Sequence, residues 1–178
     1  FEAWLDELAD CKAKYPDHVL IASVMEEYHK DAWVEIIERT QETGVDGFEL
    51  NFSCPHGLPE RRMGMAMGEN PEIVEEVTGW VSPVTKLPLW AKMTPNITDI
   101  TVPAASAIRG GAHGISAINT ILSVLGVNLK TLKPMPTVEG YTVPGGYSGQ
   151  AVRPIALRHV MELARQFPDV PVSGMGGV

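Results

Sequence analysis

The sequence predicts an α/β fold, a (β/α)8 TIM barrel of which about five βα units are present. Short, nearly continuous apolar runs alternate with segments of helical apolar spacing, which predicts strands buried on both faces in a parallel sheet covered by helices. One unit also repeats: Gly44-Val-Asp-Gly47 and Gly111-Ala-His-Gly114 each close a helix and open a strand. Each of these strands finishes on an asparagine, Asn51 or Asn119. The carboxyl ends of barrel strands meet at one shared site, so we expect both amides there.

An open doubly wound sheet is the alternative fold. Such a sheet would want a glycine-rich dinucleotide turn such as G-x-G-x-x-G after its first strand, and this sequence contains none. A closed barrel has eight strands and typically about 250 residues. With five strands found, we expect residues 1–178 to be an internal fragment of a single barrel domain that lacks strands at both ends.

The first half of the chain predicts two helices and two strands. A helical stripe opens the chain, a nearly continuous apolar run follows, and the same order then repeats. The expected elements are a helix on Phe1, Trp4, Leu5 and Leu8, a strand over 18–25, a helix on Trp33, Ile36, Ile37 and Thr40 that Gly44 closes, and a strand over 46–53.

The second half predicts three further helices and three strands. Asn70 and Pro71 are typical of a helix start, since asparagine caps the first free N–H groups and proline needs none. The expected elements are a helix on Ile73, Val74, Val77 and Trp80, a strand over 87–93, a helix over 98–109 bent or delayed by Pro103, a strand over 114–120, a helix from Arg153 on Ile155, Ala156, Val160, Leu163 and Ala164, and a strand over 170–175.

The composition argues against several classes of protein. The chain has a net charge of −8 and scattered basic residues, whereas nucleic-acid binding depends on clustered Lys and Arg. Its apolar runs are shorter than the roughly 18 residues of a membrane span, and its first residues do not resemble a signal peptide. Two cysteines do not make a disulfide framework. We therefore expect a cytoplasmic protein that binds neither nucleic acid nor membrane.

Cys54 occupies the most informative position in the chain. It follows the strand that ends at Ser53 and precedes Pro55. A thiol has an ordinary pKa of about 8.5 that its surroundings can tune, so Cys54 is a candidate proton donor or acceptor. The alternative is a small buried filler, because free cysteine is among the most buried residue types. Cys11, on the first helix, is interpreted only as such a filler.

Polar side chains at other strand ends are further candidates. Lys92 lies in an otherwise apolar strand and needs an anionic or electron-rich partner, either a bound group or a carboxylate such as Glu49. Asn51 and Asn119 offer donors and acceptors suited to a planar heterocycle, or else form caps and turns. Thr120 adds a hydroxyl beside Asn119.

Glycines after the last strand predict close approach of a ligand to the main chain. Gly174, Gly176 and Gly177 lie there, and phosphate sites of barrels commonly follow strands 7 and 8. The run over residues 57–69 is expected to be a mobile lid or, alternatively, a surface insertion. The histidines are dispersed and no HExxH or CxxC motif occurs, so we expect no metal site.

Several separated blocks resemble, in the same order, the FMN-binding barrel of dihydropyrimidine dehydrogenases. They are Asn51-Phe-Ser-Cys-Pro-His-Gly57, Gly68-Glu-Asn-Pro-Glu72, Ala91-Lys-Met-Thr-Pro-Asn96, Ile118-Asn-Thr120, Gly146-Tyr-Ser-Gly149 with Arg153-Pro-Ile-Ala-Leu-Arg158, and Gly174-Met-Gly-Gly177. Class 1 dihydroorotate dehydrogenases share the barrel, the lysine and the asparagines. The Cys-Pro-His-Gly context and the Asn-Thr pair favour the pyrimidine-reducing branch.

The resemblance implies an oxidoreductase of pyrimidine catabolism that reduces the 5,6 double bond of uracil or thymine. In that family reduced FMN delivers hydride to C6 while a loop cysteine, matched by Cys54, protonates C5. The matched pyrimidine-binding positions are Asn51, Phe52, Ser53, Asn119 and Thr120. The matched flavin-binding positions are Lys92, Gly149, Met175, Gly176 and Gly177.

The resemblance also implies partners. Electrons reach such enzymes from NAD(P)H through FAD and iron–sulfur clusters. No cysteine-rich cluster motif occurs in this sequence, so we expect that apparatus on another domain or subunit. An oligomer is expected as well. Two alternatives stay open: a dihydroorotate dehydrogenase of pyrimidine biosynthesis and a non-catalytic scaffold.

Overall fold

The computed structural model describes residues 1–56 and 59–178. Its α-helices are α1 (Glu2–Lys14), α2 (Lys30–Gln41), α3 (Met65–Gly68), α4 (Pro71–Val81), α5 (Thr101–Arg109) and α6 (Arg153–Gln166). Two short 3₁₀ helices cover Pro59–Arg61 and Gln150–Val152. The strands are β1 (Ile21–Val24), β2 (Gly47–Phe52), β3 (Leu89–Met93), β4 (Gly114–Ala117), β5 (Ile121–Ser123), β6 (Gly126–Asn128), β7 (Lys133–Met135), β8 (Thr137–Val138), β9 (Tyr141–Thr142), β10 (Gly145–Tyr147) and β11 (Val172–Gly174).

Five of these strands form one parallel sheet in chain order. The order is β1, β2, β3, β4, β11, and each pair of neighbours is parallel. Helices lie between successive strands of this sheet. Sequential parallel strands joined by helices are the building pattern of a (β/α)8 barrel, so the predicted fold class, an incomplete barrel of about five units, is confirmed.

The two faces of the sheet differ in character. One face packs against the helices and forms the core, where the largest fully buried side chains include Trp33, Phe48, Phe52 and Ile37. The other face is exposed or half-buried in β1, β2 and β3. It carries the polar residues Ser23, Glu49, Asn51 and Lys92 together with Ile21 and Trp90. The expectation of strands buried on both faces is therefore wrong for these three strands. The polar face is where the site lies.

The predicted repeat is visible as two equivalent contacts. Asp46, just before β2, exchanges two hydrogen bonds with Leu20: its N–H donates to the Leu20 carbonyl (2.8 Å) and its Oδ2 accepts from the Leu20 N–H (2.7 Å). His113, just before β4, does the same with Leu89, at 2.7 Å through the main chain and 3.1 Å through Nδ1. In both units a polar side chain ties the start of one strand to its neighbour.

Two helices depart from the prediction. Helix α5 begins at Thr101 rather than residue 98, because the Asp99 carboxylate accepts from the Thr101 N–H (2.9 Å) and hydroxyl (2.6 Å). In α6 the predicted stripe is partly wrong. Ile155 is 39% exposed, and the buried residues of this helix are Ala156, His159 and Leu163.

The segment between β2 and α4 is only partly a loop. It holds the 3₁₀ turn Pro59–Arg61 and helix α3, which packs on the end of β2. A methyl group on Gly68 would overlap the Phe52 carbonyl oxygen, so α3 sits directly on that strand end. The prediction of a lid over 57–69 includes Gly57 and Leu58, which lie outside the described residues.

Residues 121–147 form a feature that the sequence analysis did not predict, here called the hairpin excursion. It contains three antiparallel pairs: β5 with β10, β6 with β7, and β8 with β9. It leaves the barrel just after Asn119 and Thr120 and returns just before Gly149. Within the described parts of the chain, no helix is long and apolar enough to span a membrane.

Candidate active site

Three predicted site residues converge at the carboxyl ends of β2 and β4. Asn51 Oδ1 accepts from the Ser53 N–H (3.1 Å) and hydroxyl (2.8 Å) and lies 3.5 Å from Asn119 Nδ2. Asn119 Nδ2 also donates to Ser53 Oγ at 2.8 Å. Ser53 is fully buried beneath the two half-buried asparagines. One hydroxyl therefore fixes the orientation of both amides.

The remaining polar atoms of this cluster include both hydrogen-bond donors and hydrogen-bond acceptors. Asn119 Oδ1 accepts from the Thr120 N–H (2.8 Å), which turns Thr120 back against its neighbour. Among the described residues, Nδ2 of Asn51 has no hydrogen-bond acceptor, so it can donate to a ligand. The cluster is thus a preorganised patch of amide and hydroxyl groups.

Lys92 has a protein partner on the polar face. Its Nζ lies 3.1 Å from Glu49 Oε1, and the exposed fractions of the two side chains are 21% and 14%. Ser23 Oγ donates to the same carboxylate oxygen at 3.2 Å. Of the two partners left open by the sequence, the structure contains Glu49. An ammonium has three N–H donors, so this pairing leaves Lys92 able to bind a further acceptor.

The register of the sheet places Lys92 beside the amide cluster. Asn51 is the partner of Lys92 in the β2–β3 ladder, and Ser116 is its partner in the β3–β4 ladder. Residues that are level on neighbouring parallel strands point to the same face. A positive charge, an amide and a hydroxyl consequently share one level of the polar face.

Cys54 follows directly on this cluster. Its thiol is free and half-buried, unlike a fully enclosed filler. Its carbonyl accepts from the Met65 N–H (3.0 Å), which ties the loop to the start of α3. His56 Nε2 lies 3.2 Å from the Pro144 carbonyl, so the same loop also contacts the hairpin excursion. The loop that carries the thiol is thus held from two sides, and Cys54 as a whole residue stays half-buried.

Phe52 contributes differently from its neighbours. Its ring is fully buried and lies 6.0 Å from the ring of Trp33, centroid to centroid. Side chains alternate along a strand, so Phe52 points to the helix-covered face whereas Asn51 points to the polar face. Its side chain supports the strand end from behind and does not line the polar face.

The predicted flavin-binding glycines are brought together at the start of α6. Gly149, Gly176 and Gly177 have positive φ angles of 84°, 121° and 77°. A methyl group on Gly177 would lie 2.7 Å from the Gly149 carbonyl oxygen and 3.1 Å from the Arg153 nitrogen. Met175 precedes this turn and donates its N–H to the Ala117 carbonyl at 2.7 Å.

This glycine turn suits a phosphate-bearing group. At Gly177 a side chain would meet mainly main chain, and at Gly176 it would meet the side chains of Ala156, Ile118 and Val152. The turn also adjoins the first turn of a helix, where free N–H groups favour anions. The Arg153 side chain also lies there, since its Nε donates to the Gly177 carbonyl at 2.7 Å. The residues present therefore fit the phosphate end of FMN.

Two residues with contacts at the site were not singled out from the sequence. Ser23 supports Glu49, and Asn96 bonds to the main chain of Thr120 and Leu122. Asn96 belongs to a block that carried the resemblance, and a polar residue in a turn after a strand was the available signal. Among the described residues, no group of His, Cys, Asp and Glu is placed to hold a metal ion.

The barrel architecture and this site define a class of protein. The chain belongs to the dihydroorotate dehydrogenase family, whose model matches residues 1–178. The predicted resemblance is thereby confirmed, because dihydropyrimidine dehydrogenases are also among the similar proteins.

Three relatives illustrate the range of similarity. The chain is 56% identical over 182 residues to dihydropyrimidine dehydrogenase (NADP(+)), chloroplastic, of Arabidopsis thaliana, covering 99% of this chain and 43% of the relative. It is 44% identical to the NAD-dependent dihydropyrimidine dehydrogenase subunit PreA of Escherichia coli K12, covering 98% and 42%. It is 38% identical to dihydroorotate dehydrogenase A (fumarate) of Lactobacillus helveticus, covering 97% and 53%. The chain thus spans between 42% and 53% of the length of these relatives.

Proposed function

We propose that the chain is the FMN-binding catalytic part of a dihydropyrimidine dehydrogenase, which reduces the 5,6 double bond of uracil or thymine. The observation that carries the proposal is the convergence of Asn51, Ser53 and Asn119 directly before the accessible thiol of Cys54. The two relatives named dihydropyrimidine dehydrogenase, at 56% and 44% identity, support the same reaction.

The amide cluster binds the pyrimidine. A uracil ring presents carbonyl acceptors and N–H donors around its edge, and the amides of Asn51 and Asn119 can offer both kinds of partner. Ser53 fixes both amides before the ligand arrives, so little freedom is lost on binding. Thr120, whose main-chain N–H binds Asn119 Oδ1, is proposed to add its hydroxyl as a further contact to the ring.

FMN is held by the glycine turn and by Lys92. Gly149, Gly176 and Gly177 bind its phosphate, with Met175 setting the turn on the end of β11. When bound, FMN supplies the two-electron reduction at C6 of the pyrimidine. Lys92, whose Nζ Glu49 keeps in place, would provide a positive charge toward the bound flavin, which favours its reduction.

Cys54 supplies the proton that completes the reaction. Reduction at C6 leaves an electron pair on C5, which takes the proton of the Cys54 thiol and leaves a thiolate. Amide donors on the ring oxygens stabilise the negative charge that develops before this transfer. Because the thiol is half-buried and not enclosed, solvent can restore its proton.

Replacing Cys54 with alanine tests this assignment in the intact protein. We expect uracil turnover to fall by at least about 100-fold, as for loss of a general acid, with FMN still bound. The interpretation of Cys11 as a buried filler is wrong, because Cys11 is exposed on α1, and Cys11→Ala should leave turnover unchanged. Normal turnover of Cys54→Ala across the pH range would show that the proton comes from elsewhere.

A second reaction, the oxidation of dihydroorotate, is favoured by the family and by the Lactobacillus helveticus relative. Assays of uracil and dihydroorotate on one preparation separate the two reactions.

For the dihydropyrimidine dehydrogenase reaction, we propose that electrons come from NAD(P)H through FAD and iron–sulfur clusters on another domain or subunit. The subunit named among the relatives, and the fraction of each relative that the chain covers, support such partners.

A further inference from the structure

Asn96 makes a set of contacts that the proposed reaction does not yet use. Its Nδ2 donates to Thr94 Oγ1 (3.1 Å) and to the Thr120 carbonyl (3.3 Å). Its Oδ1 accepts from the Leu122 N–H at 3.0 Å. One side chain in the turn after β3 thus bonds to the main chain on both sides of Ile121, in the segment that follows β4.

The Asn96 side chain is itself held in place by Thr94. Thr94 is 1% exposed, and its Oγ1 also accepts from the Asn96 main-chain N–H at 3.1 Å. The Asn96 amide is therefore oriented by a buried hydroxyl before it reaches Thr120. Such an arrangement holds a neighbouring loop in one position and does not merely cap a local turn.

The segment held by Asn96 is the one that carries two proposed pyrimidine-binding residues. The Asn119 N–H donates to the Met93 carbonyl at 3.2 Å, and the Asn119 side chain accepts from the Thr120 N–H. Asn96 then fixes the carbonyl of Thr120. The main chain is thus held at Asn119 by β3 and at Thr120 by Asn96. These two contacts keep the Asn119 amide against Ser53.

We propose that Asn96 is a positioning residue for pyrimidine binding: it locks the chain after β4 so that Asn119 and Thr120 face the substrate in one arrangement. The proposal rests on the proposed function. Asn96 acts through these two residues and does not itself bind the ring.

The test is Asn96→Asp in the intact, FMN-loaded protein. The variant keeps an acceptor for the Leu122 N–H, but its carboxylate cannot donate to the Thr120 carbonyl and places negative charge beside it. We expect KM for uracil to rise about tenfold and kcat to change by less than about threefold, because binding is lost and the chemical step is not. FMN occupancy should stay unchanged.

Asn128→Asp is the matched control. Asn128 lies in the hairpin excursion that Asn96 contacts at Leu122. Its Oδ1 accepts from the N–H groups of Lys130 (3.0 Å) and Thr131 (3.2 Å). A carboxylate can keep both of these hydrogen bonds, so KM should match that of the unaltered protein. An equal rise in KM in this control would overturn the proposal, and so would an unchanged KM in Asn96→Asp.

Two further measurements keep the test decisive. Thr94→Val removes the acceptor that orients Asn96 while it preserves side-chain shape, and should raise KM in the same direction even if Asn96→Asp does not fold. Amide hydrogen exchange at Leu122 should accelerate about tenfold in Asn96→Ala, which also removes the acceptor of the Leu122 N–H. If the unaltered protein reduces no pyrimidine, the proposed function fails, whereas unchanged exchange at Leu122 shows that Asn96 does not hold the loop.

Discussion

At the scale of single residues, the Asp46 carboxylate joins the start of β1 to the start of β2 and both to helix α1. It binds Lys12 Nζ at 2.8 Å in addition to the Leu20 N–H. The hydrogen bond from Lys12 holds the pKa of Asp46 below its ordinary value, and the Leu20 N–H and the charge of Lys12 act in the same direction. Helix α1 is thereby attached to the sheet through a charged contact.

Asp46→Asn should reveal this contact through pH. A depressed folded-state pKa contributes stability above the unfolded pKa of about 3.9, and this contribution disappears as pH falls through the folded value. We therefore expect a lower urea midpoint than that of the unaltered protein at pH 6 and a smaller gap at pH 3. Asp17→Asn, in the exposed turn after α1, is the control. A gap of the same size at both pH values would contradict the role assigned to Asp46.

The sequence was informative about which residues meet, and less so about how they bond. Asn51, Ser53 and Asn119 follow strand ends, so their convergence follows from parallel strands in a barrel. The choice of Glu49 as the partner of Lys92 depends on the register of β2 and β3, which no local pattern encodes. The direction of Phe52, in contrast, follows from the alternation of side chains along a strand.

At the scale of elements, the hairpin excursion is joined closely to the site. Gly146 on β10 lies against Thr120, where a methyl group would overlap the threonine Oγ1. The strands of the hairpin excursion are only two or three residues long and show no extended alternation of apolar and polar residues. A period-two signal needs at least four residues, which explains why sequence reasoning did not predict these strands.

Gly146→Ala should therefore disturb both stability and binding. Overpacking at a close contact costs about 1–3 kcal/mol of unfolding free energy, and displacement of Thr120 should raise KM for uracil. Gly145→Ala is the matched control, because a methyl group there has no heavy atom within 4 Å. We expect Gly145→Ala to stay within about 0.5 kcal/mol in urea unfolding. Equal effects of the two changes would show that the close contact with Thr120 is not responsible.

Helix α6 has a titratable residue at its core. His159 is 1% exposed, its Nδ1 lies 3.5 Å from Glu162 Oε2, and neither atom has a hydrogen-bond partner among the described residues. Burial lowers the pKa of His159, and the charge of Arg158 adds to this, while Glu162 and the main chain of Pro95 oppose it.

At the scale of the whole molecule, His159 should make stability depend on pH. A histidine whose folded pKa is lowered binds more protons when unfolded, so stability falls as pH drops below about 6.5 towards the folded value. We expect the urea midpoint to fall between pH 7.5 and 5.5, and to fall less in His159→Asn. His18→Asn changes an exposed histidine and should keep the slope of the unaltered protein. An undiminished slope in His159→Asn would assign the effect to other groups.

The architecture of the molecule was largely predictable from sequence. Four of the five sheet strands are four to six residues long, and the sheet strands are separated by helices of nine residues or more, so these elements carry strong periodic signals. Their order in the sheet follows from the tendency of sequential parallel strands to be neighbours. The extent of the domain beyond residues 1–178 stays a prediction, and the chain covers 43% of its plant relative.

The ladder between β5 and β10 has a consequence for evolution and engineering. Ser123 and Gly145 are paired across it, so the intervening 124–144 segment departs and returns at a single point. The entropy of closing a loop changes only slowly with its length, so the part of this segment before Pro144, whose carbonyl contacts His56, can be shortened, extended or exchanged at small cost. Asn119 and Thr120 lie before the ladder and would keep their positions. The outer hairpins β6–β7 and β8–β9 therefore form a unit that can be exchanged without moving the main chain that carries Asn119 and Thr120.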